Sequence, residues 1–414
     1  MMRVIISIIF ISILGNIIAA QNLLDQYLEI AAKNNPELKA QYYEYLAALE
    51  VVPQVGSLPD PQLAFGYFIQ PVETRLGPQQ ARISLSQMLP WLGTLNAKKE
   101  VEIQRAKAKY EEFEETKSNL YFKLKSAYYN LYFLKKAIEI TDENLQILNS
   151  SKNLVLIKIK SGVASAVDEL RIEMEIAALK NQLELLKDKF SVETIKFNKL
   201  MYVEDTISIQ FPDTLWHSDL TSGRAEIMAK IRSNNHQVQK LEFLSAVFKN
   251  QETVAKKSGM PGISIGIDYI FIGKDDNPMV NSGQNGKDAI VFPMVGLSIP
   301  LFRNKYNAMI KETQLKHQAM QDKKLAQINM LESLYEEAIQ DYRDAQRRII
   351  LYGRQLTLSD QALKILQSEY ATDGQKFEEL LRMERSLLNY ALELEKARAD
   401  KQSTIAFTNY LIGN

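Results

Sequence analysis

Four carboxylates stand in two adjacent pairs, Asp168-Glu169 and Glu378-Glu379, and a leucine follows each pair. Each pair lies just past a turn signal: Ser161-Gly162 and Ser165 before the first, Thr372-Asp373-Gly374 before the second. Carboxylates placed there suit the first turn of a helix, where negative charge meets the positive end of the dipole. Gly162 and Gly374 suit the left-handed conformation that ends a helix. No other cluster offers chemistry. His217, His236 and His317 lie far apart without ligand spacing, and the methionines are scattered through apolar stretches. No Ser/His/Asp set, glycine-rich phosphate loop or His–Cys cluster occurs. The chain is therefore not expected to be an enzyme, and neither cofactor nor metal site is expected.

Bulk composition narrows the classes further. The 414 residues carry 50 basic and 50 acidic side chains, a net charge of zero. Nucleic-acid binding needs a basic face, so none is expected. Cysteine is absent, which removes thiolate ligands, thiol catalysis and a lipidated N-terminal cysteine. Residues 1–20 read as a secretory signal peptide. Arg3 supplies the charge, Val4 to Leu14 the apolar core, and Ile18-Ala19-Ala20 a small-residue cleavage site. No later stretch reaches the 18 apolar residues of a transmembrane helix. A membrane crossing would have to be made by strands.

The acidic pairs must be positioned by long helices. All twelve prolines lie outside Trp91–Phe211 and Leu301–Asn414. Within the first stretch, alternate steps of four and three from Ala106 to Ile159 meet mostly apolar residues; the same stepping from Ile328 to Tyr370 misses only at Ser359. A seam of six or seven heptads is coiled-coil packing. Each arm, about 94–160 and 304–370, ends at a turn signal. A return helix follows, marked by Ile172, Ile176, Leu179 and Leu183 in one case and by Leu380, Met383, Leu387 and Tyr390 in the other. Short turns make antiparallel neighbours, so two helical hairpins are predicted, about 94–201 and 304–412.

Ahead of each hairpin the period changes to two. Leu63, Phe65, Tyr67 and Ile69 share a face in a strand over about 62–69; Ile83 and Leu85 do so over about 80–89. Ile263, Ile265, Ile267, Tyr269 and Phe271 follow over about 263–272, and Val291, Val295, Leu297 and Ile299 over about 290–299. A helix precedes each strand pair, near Pro36–Val52 and His236–Lys257. The chain thus reads as one unit written twice, 21–201 and 223–414, joined by a segment over 202–222 in which Thr206–Phe211 alternates like a short strand. Asn34-Asn35-Pro36-Glu37-Leu38 returns as Asn234-Asn235-His236-Gln237-Val238.

Four strands with one apolar face cannot close, and open edges do not survive in lipid. Closure between chains solves this: three copies give a twelve-stranded barrel with a lumen. The predicted fold class is an α+β membrane protein of long antiparallel coiled-coil helices and four transmembrane β-strands per chain.

With that plan, the chain resembles the outer-membrane efflux proteins, the TolC-like exit ducts, closest to the heavy-metal and drug efflux branch. Pro59-Asp60-Pro61, Gln87-Met88-Leu89-Pro90-Trp91-Leu92-Gly93 and Gly162-x-x-Ser165-x-x-Asp168-Glu169-Leu170 carry the resemblance. It implies a homotrimeric channel in the cell outer membrane of a Gram-negative cell, reaching into the periplasm. Its partners would be a periplasmic adaptor (membrane fusion) protein and an inner-membrane RND-type or ABC transporter. It also implies that the hairpin turns form a closable entrance. Asp168, Glu169, Glu378 and Glu379 are then candidates for a ring that favours cations, and Gly162, Ser165, Asp373 and Gly374 for the turns an adaptor engages. A type I protein secretion duct shares the fold, and a soluble periplasmic coiled-coil adaptor or scaffold is the rival from another class.

Overall fold

The longest elements of the computed structural model are helices, and they fall where proline is absent. The structure describes residues 23–204, 207–215, 218–220, 222–274, 285–373 and 376–414, with the backbone only at Asp373. The expected signal peptide over 1–20, His217 and Gly374 lie outside the described residues.

Among the described residues, eight helices and four strands follow in chain order: α1 (23–34), α2 (Pro36–Gly56), β1 (Gln62–Val72), β2 (Gln79–Leu89), α3 (Thr94–Lys160), α4 (Ala166–Met201), α5 (Arg224–Asn234), α6 (His236–Ser258), β3 (Gly262–Ile272), β4 (Ala289–Ser298), α7 (Arg303–Asp373) and α8 (Phe377–Leu411). The Asn-Asn repeat marks two helix joints. Asn35 separates α1 from α2 and caps α2, its Oδ1 accepting from Leu38 N at 3.0 Å. Asn235 separates α5 from α6, and its buried Nδ2 donates to Leu411 O at 3.0 Å. Pro36 opens α2 at a position where no backbone donor is needed. Pro53 lies within α2, which runs on to Gly56, beyond the expected end at Val52.

The chain divides into two compact units. The first takes residues up to Gln41, Phe113–His236 and Gln327–Asn414. Its larger core gathers Tyr128 and Tyr132 of α3 and Phe197 and Met201 of α4 with Leu24, Tyr27 and Leu28 of α1. Tyr27 meets Phe197 edge-on, with ring centroids 5.6 Å apart. The segment over 207–213 lies against this core and is not a strand, contrary to its alternating sequence. Side chains replace the ladder there: Asn198 Oδ1 accepts from Ile207 N at 3.0 Å, Tyr128 Oη donates to Gln210 O at 3.1 Å, and Tyr132 Oη donates to Asp213 O at 3.3 Å. Backbone groups so satisfied need no partner strand.

The second unit takes Tyr42–Glu112 and Gln237–Ala326 and contains the sheet. The strands pair antiparallel in the order β1-β2-β3-β4, leaving one edge each of β1 and β4 unpaired among the described residues. Both edge strands carry a proline, Pro71 and Pro293, which lack a ladder donor. Register aligns the apolar residues across the sheet: Leu63 opposite Leu85 opposite Ile267, and Phe65 opposite Ile83 opposite Tyr269 opposite Ile290. This face is open; Ile69 is 92 % exposed, and Leu63, Phe65, Tyr67, Val295 and Leu297 are exposed with it.

β4 corrects the sequence reading. Ile265 opposes Val295 and Ile263 opposes Leu297, but the register shifts between Gly266 and Asp268, so that Asp268 opposes Val291. An irregularity of this kind reverses the faces on its far side. Ile290 therefore joins the apolar face, and Val291 leaves it.

Candidate functional site

The hairpin turns belong to the first unit. α3 ends at Lys160, and Gly162 takes φ +77°. Val163 N returns to Lys158 O at 2.9 Å, and Gly162 N returns to Ile159 O at 3.0 Å. Glycine is required there because a side chain is strained at that φ. Ser165 then caps α4, its hydroxyl accepting from Val167 N at 3.2 Å. Asp168 and Glu169 stand in the first turn of α4, Glu378 and Glu379 in the first turn of α8. α8 begins differently from α4: it has no side-chain cap, and Lys376 before it holds φ +64°. Lys376 Nζ pairs with Glu369 at 3.0 Å.

The structure sorts the four carboxylates. Asp168 is buried at 7 % exposure and accepts from Arg171 at 3.4 Å. The same guanidinium reaches Glu378 at 3.0 Å, so one arginine joins the first turns of α4 and α8. Glu169 is half-buried and acts on Lys152 of α3, which pairs with Glu173 at 2.7 Å. Glu379 is exposed and has no ion pair among the described residues. The structure thus brings Asp168 and Glu378 together on Arg171 and leaves Glu379 open to solvent.

Like Arg171, three further contributors were not read from the sequence. Lys158 of α3 is buried, and its Nζ donates to Tyr370 O at 2.6 Å and Ala371 O at 2.9 Å while lying 5.0 Å from the Tyr370 ring centroid. A cation on the last carbonyls of α7 offsets the negative end of that helix. Arg385 of α8 grips Glu175 of α4 with two bonds, at 3.0 and 2.6 Å. Next to Arg385 in the chain is Glu384, 1 % exposed, with neither carboxylate oxygen bonded. Burial, reinforced by the nearby charge of Glu175, pushes its carboxyl up to about 7.

Glu384 had a readable signal. α8 buries two stripes, not one. Leu380 and Leu394 belong to the expected seam; Phe377, Leu381, Glu384 and Leu388 form a second at steps of four, three and four. The two stripes adjoin, so α8 buries one broad face.

Two helical hairpins and one open four-stranded sheet make a fold shared with solved outer membrane channels. The comparisons agree. Residues 27–195 match the family described as outer membrane efflux protein. The VceC outer membrane protein of Vibrio cholerae is similar with a TM-score of 0.73 at 15 % identity, covering 94 % of this chain and 96 % of that one. The MtrE outer membrane channel of Neisseria gonorrhoeae, solved in an open state, is similar with a TM-score of 0.74 at 14 % identity over 95 % and 89 %. Toxin and drug export protein A of Aggregatibacter actinomycetemcomitans is 24 % identical over 213 residues, half of this chain and 45 % of that relative's length. The resemblance to the outer membrane efflux proteins thus holds in sequence over residues 27–195 and in fold over nearly the whole chain.

Proposed function

We propose that the chain is the exit duct of a tripartite efflux system in the outer membrane. Three copies pool their strands into a twelve-stranded barrel, and the helical hairpins extend into the periplasm. The observation that carries this reading is the sheet: an exposed apolar face bounded by two strand edges that are unpaired among the described residues. In lipid each unpaired backbone group costs several kcal/mol, so the edges must close, and the chain's own strands are too few to close them. No helix among the described residues is long and apolar enough to cross a membrane. The duct is passive. Its hairpin turns dock a periplasmic adaptor, and an inner-membrane RND-type or ABC transporter drives drugs or heavy-metal cations through it. Mass measurement in detergent micelles, on protein taken from the outer membrane fraction, should return three copies. A lone soluble subunit would overturn the reading.

A type I secretion duct is the second reading, supported by the name of the Aggregatibacter relative, which joins toxin and drug export. Loss of a secreted protein rather than of drug tolerance in a deletion strain would favour it.

The turns form the entrance in either case. Three copies of Glu379 make a ring of solvent-open carboxylates, while Asp168 and Glu378 are engaged by Arg171. Glu379→Lys is expected to turn a cation preference towards anions, read as a shift of reversal potential in planar bilayers. An unchanged potential would remove Glu379 from the lumen. Arg171→Gln together with Arg385→Gln removes the described ion pairs between α4 and α8. That variant is expected to conduct more, because the two hairpins lose their electrostatic ties near the turns.

A further inference from the structure

The four strands contain only two charged residues, Arg82 in β2 and Asp268 in β3. They pair with each other, Arg82 Nη2 to Asp268 Oδ2 at 2.5 Å. Both lie on the face opposite the apolar one. Arg82 stands opposite Ile270 and Asp268 opposite Ser84, in the row that also holds Ser86, Ser264 and Gly266. Arg82 Nε donates to Ser84 Oγ at 3.0 Å, and Nη2 lies 4.0 Å from Met294 Sδ. These contacts lay the guanidinium across the carboxylate. Asp268 is 3 % exposed, whereas the Arg82 side chain keeps 43 % of its surface open.

We propose that Arg82 and Asp268 set the charge of the barrel lumen, and set it to neutrality. The inference rests on the trimeric-barrel reading above. In that barrel each residue occurs three times around a water-filled passage. Arg82 alone would make a ring of three positive charges, and Asp268 alone a ring of three negative ones; either would sort solutes by sign. Paired at contact distance, they leave short-range dipoles on a wall whose other side chains, among them Ser84, Ser86, Ser264, Ile270 and Val291, are uncharged. The barrel then passes cations, anions and uncharged solutes alike, and discrimination by charge is left to the hairpin turns. The two residues are specificity-determining as a pair, because each masks the other.

The absence of cysteine makes the test direct. Ser86→Cys places one thiol on this face, and its modification rates by a cationic and an anionic methanethiosulfonate reagent report the local potential. Reagents entering from the barrel end bypass the hairpin turns. Against the Ser86→Cys parent, adding Arg82→Gln should raise the cationic-to-anionic rate ratio by about threefold or more, and adding Asp268→Asn should lower it by a similar factor. Adding both should restore the parental ratio. Trimers that label equally in all four backgrounds would overturn the inference while leaving the duct intact. Absence of trimers in the Ser86→Cys parent would overturn the duct reading itself. If the single-charge variants fail to assemble, the parent and the double variant decide: equal ratios support the masked pair, and a parent ratio displaced by more than twofold refutes it.

Discussion

Glu384→Leu is expected to strengthen the packing of α8, and the gain should grow with pH. Glu384 is buried, with the core residues Leu380, Leu381, Leu387 and Leu388 three and four positions away on its own helix, and its carboxylate has no bonded partner among the described residues. The charge that acts on it is Glu175, of the same sign and itself engaged by Arg385. Burial, then that charge, raises its carboxyl from 4.5 to about 7. The sign follows from linkage: over this window the folded state holds a proton that the unfolded state has released, so stability falls as pH rises. The favourable contribution is complete below 4.5, is lost through about 7, and changes no further above it. A shift of this size corresponds to about 3 kcal/mol. Native-state hydrogen exchange in detergent, corrected for intrinsic chemistry, should show wild-type α8 losing most of that protection between about pH 5 and pH 8. Glu384→Leu should be flat across the same range and should exceed wild type by about 3 kcal/mol at the alkaline end. Parallel pH profiles for the two proteins would mean that Glu384 does not titrate in the fold.

The reasons some features were legible and others were not are physical. Proline-free stretches and heptad steps are local, and α3 begins and ends at the expected Thr94 and Lys160. Period-two alternation is also local, and it located all four strands to within a few residues. It failed inside β4, because alternation cannot report where the partner strand changes register; only the pairing of Asp268 with Val291 shows that. Thr206–Phe211 alternates like a strand, yet the described part finds side-chain partners instead, supplied by residues as distant as Tyr27 and Tyr128. The turns were visible as Gly162 and Ser165, and the acidic residues as starts of helices. Which of them stays open was not visible. Arg171 lies three residues from Asp168 but some 200 from Glu378, and only the fold brings the two carboxylates to one guanidinium. Lys158 was hidden for the same reason: its partners are carbonyls of another hairpin.

Ile267→Arg is expected to abolish outer-membrane assembly, whereas Ser86→Arg should be accepted. The contrast comes from register alone. Ile267 is near the middle of β3, opposite Leu85, which is opposite Leu63; all three are exposed on the apolar face. Ser86 lies one residue along β2 and therefore faces the other way, opposite Gly266 and Gln62. If the apolar face meets lipid, a guanidinium introduced at position 267 would sit near the bilayer midplane. It would cost about 2–4 kcal/mol per copy, and in the proposed trimer that cost would be repeated three times. The sum, about 6–12 kcal/mol, rivals the whole stability of a typical domain. At position 86 the same group enters water and costs little by comparison. Ile267→Arg should vanish from the outer-membrane fraction and from the trimer band, while Ser86→Arg should keep both. The reverse pattern would place lipid on the small-residue face. Equal assembly of the two would mean that neither face meets lipid, and a barrel built from these strands would have no place in the membrane.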